Sequence, residues 1–158
     1  MINFYIKLGL VLLTLIWCAG IIFTPVLKNT GHNNEAKLLY HLYSKTCHQI
    51  DHRSFHIAGE KFAVCTRCTG IYFGFFIITL LSLLSARVKM KRNKVILGIF
   101  VSVLVILIID VFMNLLGIYT QDTVRLIIGI AFGLACGWFI VPLILEACLQ
   151  LFLKSKNT

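Results

Sequence analysis

Polar residues gather between four apolar runs, at 8–27, 68–86, 95–117 and 124–146. Each run approaches the ~20 residues that an α-helix needs to cross the hydrocarbon core of a bilayer. The strict apolar–polar alternation of a membrane β-barrel strand is absent from them. The pattern therefore predicts an all-α polytopic membrane protein, 1–158 forming a single membrane domain with four transmembrane helices. Pro25 and Lys28 mark the end of the first run. No small-x-small cleavage site follows it and "LIWCAG" is a poor lipoprotein box, so it reads as a retained helix rather than a signal peptide.

The segment 28–67 breaks this rhythm. "EAKLLYHLYSKTCHQ" sets Leu38, Leu39, Leu42 and Tyr43 at helical spacing. That predicts a short amphipathic helix on the membrane surface or over the bundle. "SFHIAGEKFAV" alternates Phe55 and Ile57, then Phe62 and Val64, about an "AGEK" turn with Gly59. A β-hairpin that delivers the chain to Cys65 is expected there. Thr69 or Cys68 would then cap the second transmembrane helix.

Composition agrees with the pattern: 59% of the 158 residues are hydrophobic and 13% charged, where a soluble domain is roughly a quarter charged. The net charge of +9 does not point to nucleic acid, because five of the fifteen basic residues crowd into "RVKMKRNK" between two apolar runs. Such a loop marks the cytoplasmic side, and anionic lipid headgroups are its expected contact. Four spans then leave both termini in the cytoplasm of a multi-pass cell-membrane protein. The 28–67 segment faces outward, into a periplasm or the extracellular space. Gly70 and Gly74 form a GxxxG pair, and Gly129, Gly133 and Gly137 a ladder of the same spacing. Small residues at this interval let helices approach closely, so the second and fourth spans are each expected to pack tightly against neighbours. The same faces would serve a homo-oligomer or a membrane complex.

The chemistry-bearing residues converge on the outer boundary. Cys65 and Cys68 form a C-x-x-C, with Cys47 and His48 upstream. Three sulfurs and one nitrogen suit tetrahedral zinc. Neighbours in an extended chain point opposite ways, so Cys47 and His48 would share a metal only at a turn or helix end; otherwise His52 or His56 would substitute. The same thiols suit a membrane thiol–disulfide oxidoreductase, since a helix N-terminus and Arg67 both lower a thiol pKa. That reading needs a quinone or a partner thiol. A structural disulfide from Cys47 to Cys65 or Cys68, and a non-catalytic complex subunit, are the remaining readings. His32, His41, His52 and His56 read as solvated, and Cys18, Cys136 and Cys148 as packing residues. Asp110 lies inside the third apolar run, where a carboxylate marks a functional position. Asn114 is one turn further out, Arg125 opens the fourth helix, and Glu146 reads as solvated at the inner interface. Asp110 and Arg125 either lock two helices as an ion pair or serve the cysteine site as catalytic partners, with Asn114 in support.

"TCHQIDHRSF" and "GEKFAVCTRCTGIYFG" resemble the membrane family called domain of unknown function 2085. Its pattern is C-H-Q, then R-S-F, a glycine, and V-C-x-R-C-T-G-I-Y-x-G. Here these are Cys47, His48, Gln49, Arg53, Ser54, Phe55, Gly59, Val64, Cys65, Arg67, Cys68, Thr69, Gly70, Ile71, Tyr72 and Gly74. The family's D-G-x-x-Q-x-x-G and R-x-x-x-G-x-x-x-G are met by Asp110, Gly117, Arg125, Gly129 and Gly133, with departures at Val111 and Asn114. The resemblance implies His48, not His52 or His56, as the histidine of the site, and Gln49, Arg53 and Arg67 as its supporting residues. Some members resemble C-x-R-D-T-G, with aspartate in place of Cys68. Aspartate binds zinc but forms no disulfide, which favours the metal reading. The resemblance brings no assigned activity. A site with an open coordination position would activate water on a membrane-proximal substrate; a closed one would be structural.

Overall fold

A computed structural model of the protein describes residues 2–84, 94–118 and 121–156. The chain runs α1 (Ile2–Asn29), α2 (Asn33–Ser44), a 3₁₀ turn (Asp51–Arg53), β1 (His56–Ile57), β2 (Glu60–Lys61), α3 (Thr66–Leu84), α4 (Lys94–Leu115) and α5 (Asp122–Lys156). Four of the helices are long and apolar enough to cross a membrane, over Phe4–Asn29, Thr66–Leu84, Ile96–Leu115 and Asp122–Leu151. The protein is thus a mostly helical, polytopic membrane protein with a small two-stranded sheet. The basic loop expected to meet anionic lipids, Arg87 to Lys94, lies outside the described residues except for Lys94, which opens α4.

Two boundaries differ from the sequence reading. Pro25 does not end the first helix; it sits fully buried inside α1, which continues to Asn29. A proline in a helix removes the N–H that would bind the carbonyl four residues earlier. That carbonyl belongs to Ile21, and it accepts the Ala63 N–H at 3.4 Å instead. The break in the ladder thereby becomes the docking point for the chain that leaves the hairpin. In α5, Pro142 is likewise internal and the helix runs on past the expected limit of 146. At ~1.5 Å per residue α5 exceeds the ~30 Å core and extends beyond it.

The close helix contact is between α3 and α5. Both start at the same end of the bundle, so they run parallel, with α4 as the return limb. A Cβ on Gly70 would overlap the Leu126 carbonyl, one on Gly74 that of Ile130, one on Gly129 that of Arg67 and one on Gly133 that of Ile71. These are backbone atoms with no rotamer to move. At Gly137 the neighbour is the Ile78 side chain, 2.9 Å from an added Cβ. The glycines of the two spans therefore face each other directly, as small-residue packing in membranes favours.

By contrast, α4 is peripheral. Among its described side chains only Asp110 and Asn114 are buried. Lower down, Phe100 stacks against Phe132 (6.3 Å between centroids) and meets Phe139 edge-on (5.0 Å). The helix ends in a Schellman motif: Gly117 (φ +78) donates to Asn114 O at 3.3 Å and Ile118 to Met113 O at 3.0 Å. Glycine accepts this left-handed conformation without a Cβ penalty.

Between α1 and α3 the hairpin is tighter than expected. His56 pairs with Lys61 and Ile57 with Glu60, so the loop is Ala58–Gly59 alone, both at positive φ. That is the type I′ geometry matching strand twist. The Phe62 N–H to Phe55 carbonyl bond (2.7 Å) and the edge-on Phe55–Phe62 rings (5.8 Å) continue it. The face of α2 also differs. Ala36 and Tyr43 are buried and Leu39 and Tyr40 half-buried, whereas Leu38 and Leu42 are exposed. Helical spacing was present for both sets; the packed one is fixed by Gly20 on α1, whose missing side chain admits the Tyr43 ring.

Candidate functional site

Cys47 follows α2 and Cys65 precedes α3. The Cys65 carbonyl accepts the Thr69 N–H at 2.9 Å, so Cys65 occupies the N-cap position. Thr69 Oγ returns to the same carbonyl at 3.1 Å rather than capping, as had been expected of Thr69 or Cys68. Cys68 lies in the first turn on the side that faces Cys47. The result is a group in which the Sγ atoms of Cys47, Cys65 and Cys68 all lie within 4.8 Å of one another. Cys47 is buried and the other two half-buried, and all three are free thiols.

Backbone geometry supports negative charge at Cys47. Its Sγ accepts the N–H of Cys65 at 3.3 Å and of Gln49 at 3.5 Å. Hydrogen bonds from the Cys65 and Cys68 thiols, more than these backbone bonds, pull the Cys47 thiol well below its ordinary range despite burial. The Cys65 thiol moves the opposite way, raised chiefly by its bond to Cys47. A thiolate stabilised by donors is the form that binds metal or attacks a disulfide.

A hydrophobic shell encloses the group: Ile21, Tyr43, Ala63 and Val64 are buried, with Trp17 and Tyr72 packed against them. Trp17 meets Tyr43 edge-on at 4.9 Å and Tyr72 at 5.8 Å. The Tyr43 hydroxyl donates to Trp17 O at 2.7 Å, and burial raises its pKa to about 12, so it stays a neutral donor. Gln49 holds the shell together. At φ +51 its Nε2 donates to Tyr40 O (2.7 Å) and Ala63 O (2.8 Å), while Lys61 Nζ donates to its carbonyl at 2.8 Å.

His48 does not join the cysteines. It is exposed and lies outside their group, because Cys47 turns inward and the next side chain in the chain turns out. All five histidines of the chain, His32, His41, His48, His52 and His56, are exposed. Arg53 is half-buried in the 3₁₀ turn, where its Nε donates to His52 Nε2 at 3.2 Å. Cys18 is buried in α1, and Cys136 and Cys148 are half-buried in α5.

The other two residues of C-T-R-C face away from the sulfurs into a polar network. Arg67 pairs with Asp110, and Thr66 Oγ donates to Asp122 at 3.4 Å. Asn114 Nδ2 donates to the Asp110 carbonyl at 2.6 Å and its Oδ1 accepts from Arg125. Arg125, 2% exposed, lies 3.5 Å from Asp122. The expected partner set of Asp110 and Arg125 thus gains Arg67, Thr66 and Asp122. Thr66 and Asp122 went unread because neither sits inside an apolar run. Lys7 was also missed; it is buried in α1, and a lysine flanked by apolar residues was the available signal.

The spacing of the three sulfurs is compatible with zinc. With Zn–S bonds of ~2.3 Å, tetrahedral sulfurs stand about 3.8 Å apart; three sulfurs within 4.8 Å of one another fit this. These residues would supply three thiolates and leave a fourth ligand to come from elsewhere.

No solved structure matches the chain. An uncharacterised protein of Methanocaldococcus jannaschii (Uncharacterized protein MJ1492) is 61% identical over 36 residues, 23% of each chain. The chain covers, in other words, under a quarter of that relative's length. A family model spans residues 47–139, from Cys47 through the glycine ladder of α5, which is more than half of the chain and takes in both the cysteine group and the ion-pair network. By that match the chain belongs to the family described as predicted membrane protein (DUF2085).

Proposed function

We propose that Cys47, Cys65 and Cys68 form a zinc-type metal centre at the outer membrane boundary. The observation that carries it is the convergence of three sulfurs from two separate segments, one of them already held by two backbone N–H donors. Three thiolates are a soft donor set suited to zinc, and an external fourth ligand leaves room for a water or a substrate atom. Asp110, Arg125 and Asn114 act on this centre through Arg67, whose position in the C-x-x-C turn ties the network to the sulfurs. The bound metal would supply Lewis acidity toward a membrane-proximal substrate.

A second reading uses the same thiols for disulfide exchange, favoured by the depressed pKa of Cys47. Oxidation of Cys47 with Cys65 or Cys68 would form one S–S bond and pass two electrons and two protons to a quinone or a disulfide acceptor. One experiment separates the readings. Protein purified without chelator should carry about one zinc per chain, lost in Cys65→Ser and Cys68→Ser because serine offers no thiolate. Metal-free protein with two thiols missing from the reduced count would overturn the metal reading in favour of the disulfide.

A further inference from the structure

The depth of the segment between α1 and α3 is fixed by its contacts. The apolar run that α3 opens at Thr66 holds no basic residue between Arg67 and Arg87, a length that at ~1.5 Å per residue matches the ~30 Å hydrocarbon core. Thr66 therefore stands at the outer edge of the core, and Tyr72 lies about 9 Å inside it. Antiparallel α1 is held to α3 by the Thr14–Thr79 hydroxyl contact (3.0 Å) and the Trp17–Tyr72 rings. That pairing sets Trp17, and Ile21 one turn above it, below the outer edge. Tyr43 of α2 lies on Trp17, and Ala63 bonds to Ile21 O. The inner side of the segment is thus sunk into the outer leaflet.

At 100° per residue α2 divides into three edges. Ala36, Tyr40 and Tyr43 face the bundle. Leu38, Leu39 and Leu42 lie to one side, with Glu35 in the first turn of the same edge, and Lys37, His41 and Ser44 lie to the other. Leu38 is 70% and Leu42 47% exposed, although each is a large apolar side chain. On α1, the membrane-crossing helix that α2 packs against through Tyr43, Ile22, Phe23 and Val26 are exposed as well.

We infer that α2 is embedded in the outer leaflet beside α1, with lipid acyl chains covering the Leu38–Leu42 edge and water meeting the Lys37–His41 edge. The placement of α2 holds whether the thiols carry metal or not. The apolar edge sinks to the acyl level while the basic edge stays with the headgroups, as for interfacial amphipathic helices.

The test uses the full chain in phosphatidylcholine vesicles, with Leu38→Trp, Leu42→Trp and Lys37→Trp made singly. Each site is exposed, so the fold should survive; circular dichroism confirms this. The emission added over that of Trp17 and Trp138 is read. For Leu38→Trp and Leu42→Trp it should be blue-shifted, lose most of its intensity to lipid brominated near the top of the acyl chain, and resist iodide. Lys37→Trp should show the reverse. Leucine-site emission quenched by iodide as strongly as at position 37 would overturn the inference, since the edge would then face water. Emission quenched by neither agent would overturn it too, since protein would then cover the edge.

Discussion

Gln49 is the residue on which the outer segment turns. It holds a left-handed backbone, which costs an L-residue about 1–2 kcal/mol, and in return its amide satisfies two carbonyls of different segments. Losing the amide leaves two half-buried acceptors without their donor, at about 1–3 kcal/mol each. Gln49→Ala should therefore lower the thermal midpoint in detergent, and Gln49→Gly should lower it less, because glycine relieves the backbone cost while losing the same bonds. Equal midpoints for the two would mean that the φ angle contributes nothing. In the sequence Gln49 was visible only as part of C-H-Q; its role needed the positions of Tyr40 and Ala63, which are set by tertiary packing. Cys65 and Cys68 were legible because C-x-x-C spacing is a local signal, and Cys47 through the C-H-Q pattern upstream. His48 was not, because adjacency in sequence carries no information on which of two neighbours turns inward.

At the scale of elements, α3 and α5 share one glycine interface and its tolerance should be graded. Gly98 has nothing near an added Cβ, Gly137 meets a side chain, and Gly133 meets a backbone carbonyl. Alanine at 98 should be neutral or slightly stabilising, since it is the better helix former by about 1 kcal/mol. Alanine at 137 should be mildly destabilising and at 133 severely so, with loss of the folded band on thermal challenge followed by size exclusion. A Gly133→Ala protein as stable as Gly98→Ala would sink the parallel contact. The sequence made the helices legible through run length and the interface through four-residue glycine spacing, but not which helix met which. Apolar runs carry no pairing information in a lipid solvent, where any apolar face is satisfied. Pro25 misled for a related reason: the carbonyl it frees, that of Ile21, is met by Ala63, a donor far ahead in the chain that the local sequence does not reveal.

For the whole molecule, the orientation expected from the basic loop is open to direct measurement. A periplasmic-active phosphatase fused after Asn34 should be active, and a fluorescent protein fused after Lys91 should fluoresce. The reverse pattern would move the thiols into a reducing compartment and remove the disulfide reading. The Arg67–Asp110–Asn114–Arg125–Asp122 network has a further consequence, for how the protein is made. Arg67 leaves the ribosome 43 residues ahead of Asp110, and Thr66 precedes Asp122 by 56. Through that interval the Arg67 guanidinium waits for a carboxylate not yet synthesised. The glycine faces of α3 and α5 wait equally long for each other. The α3–α5 contact can therefore form only after α5 has been synthesised.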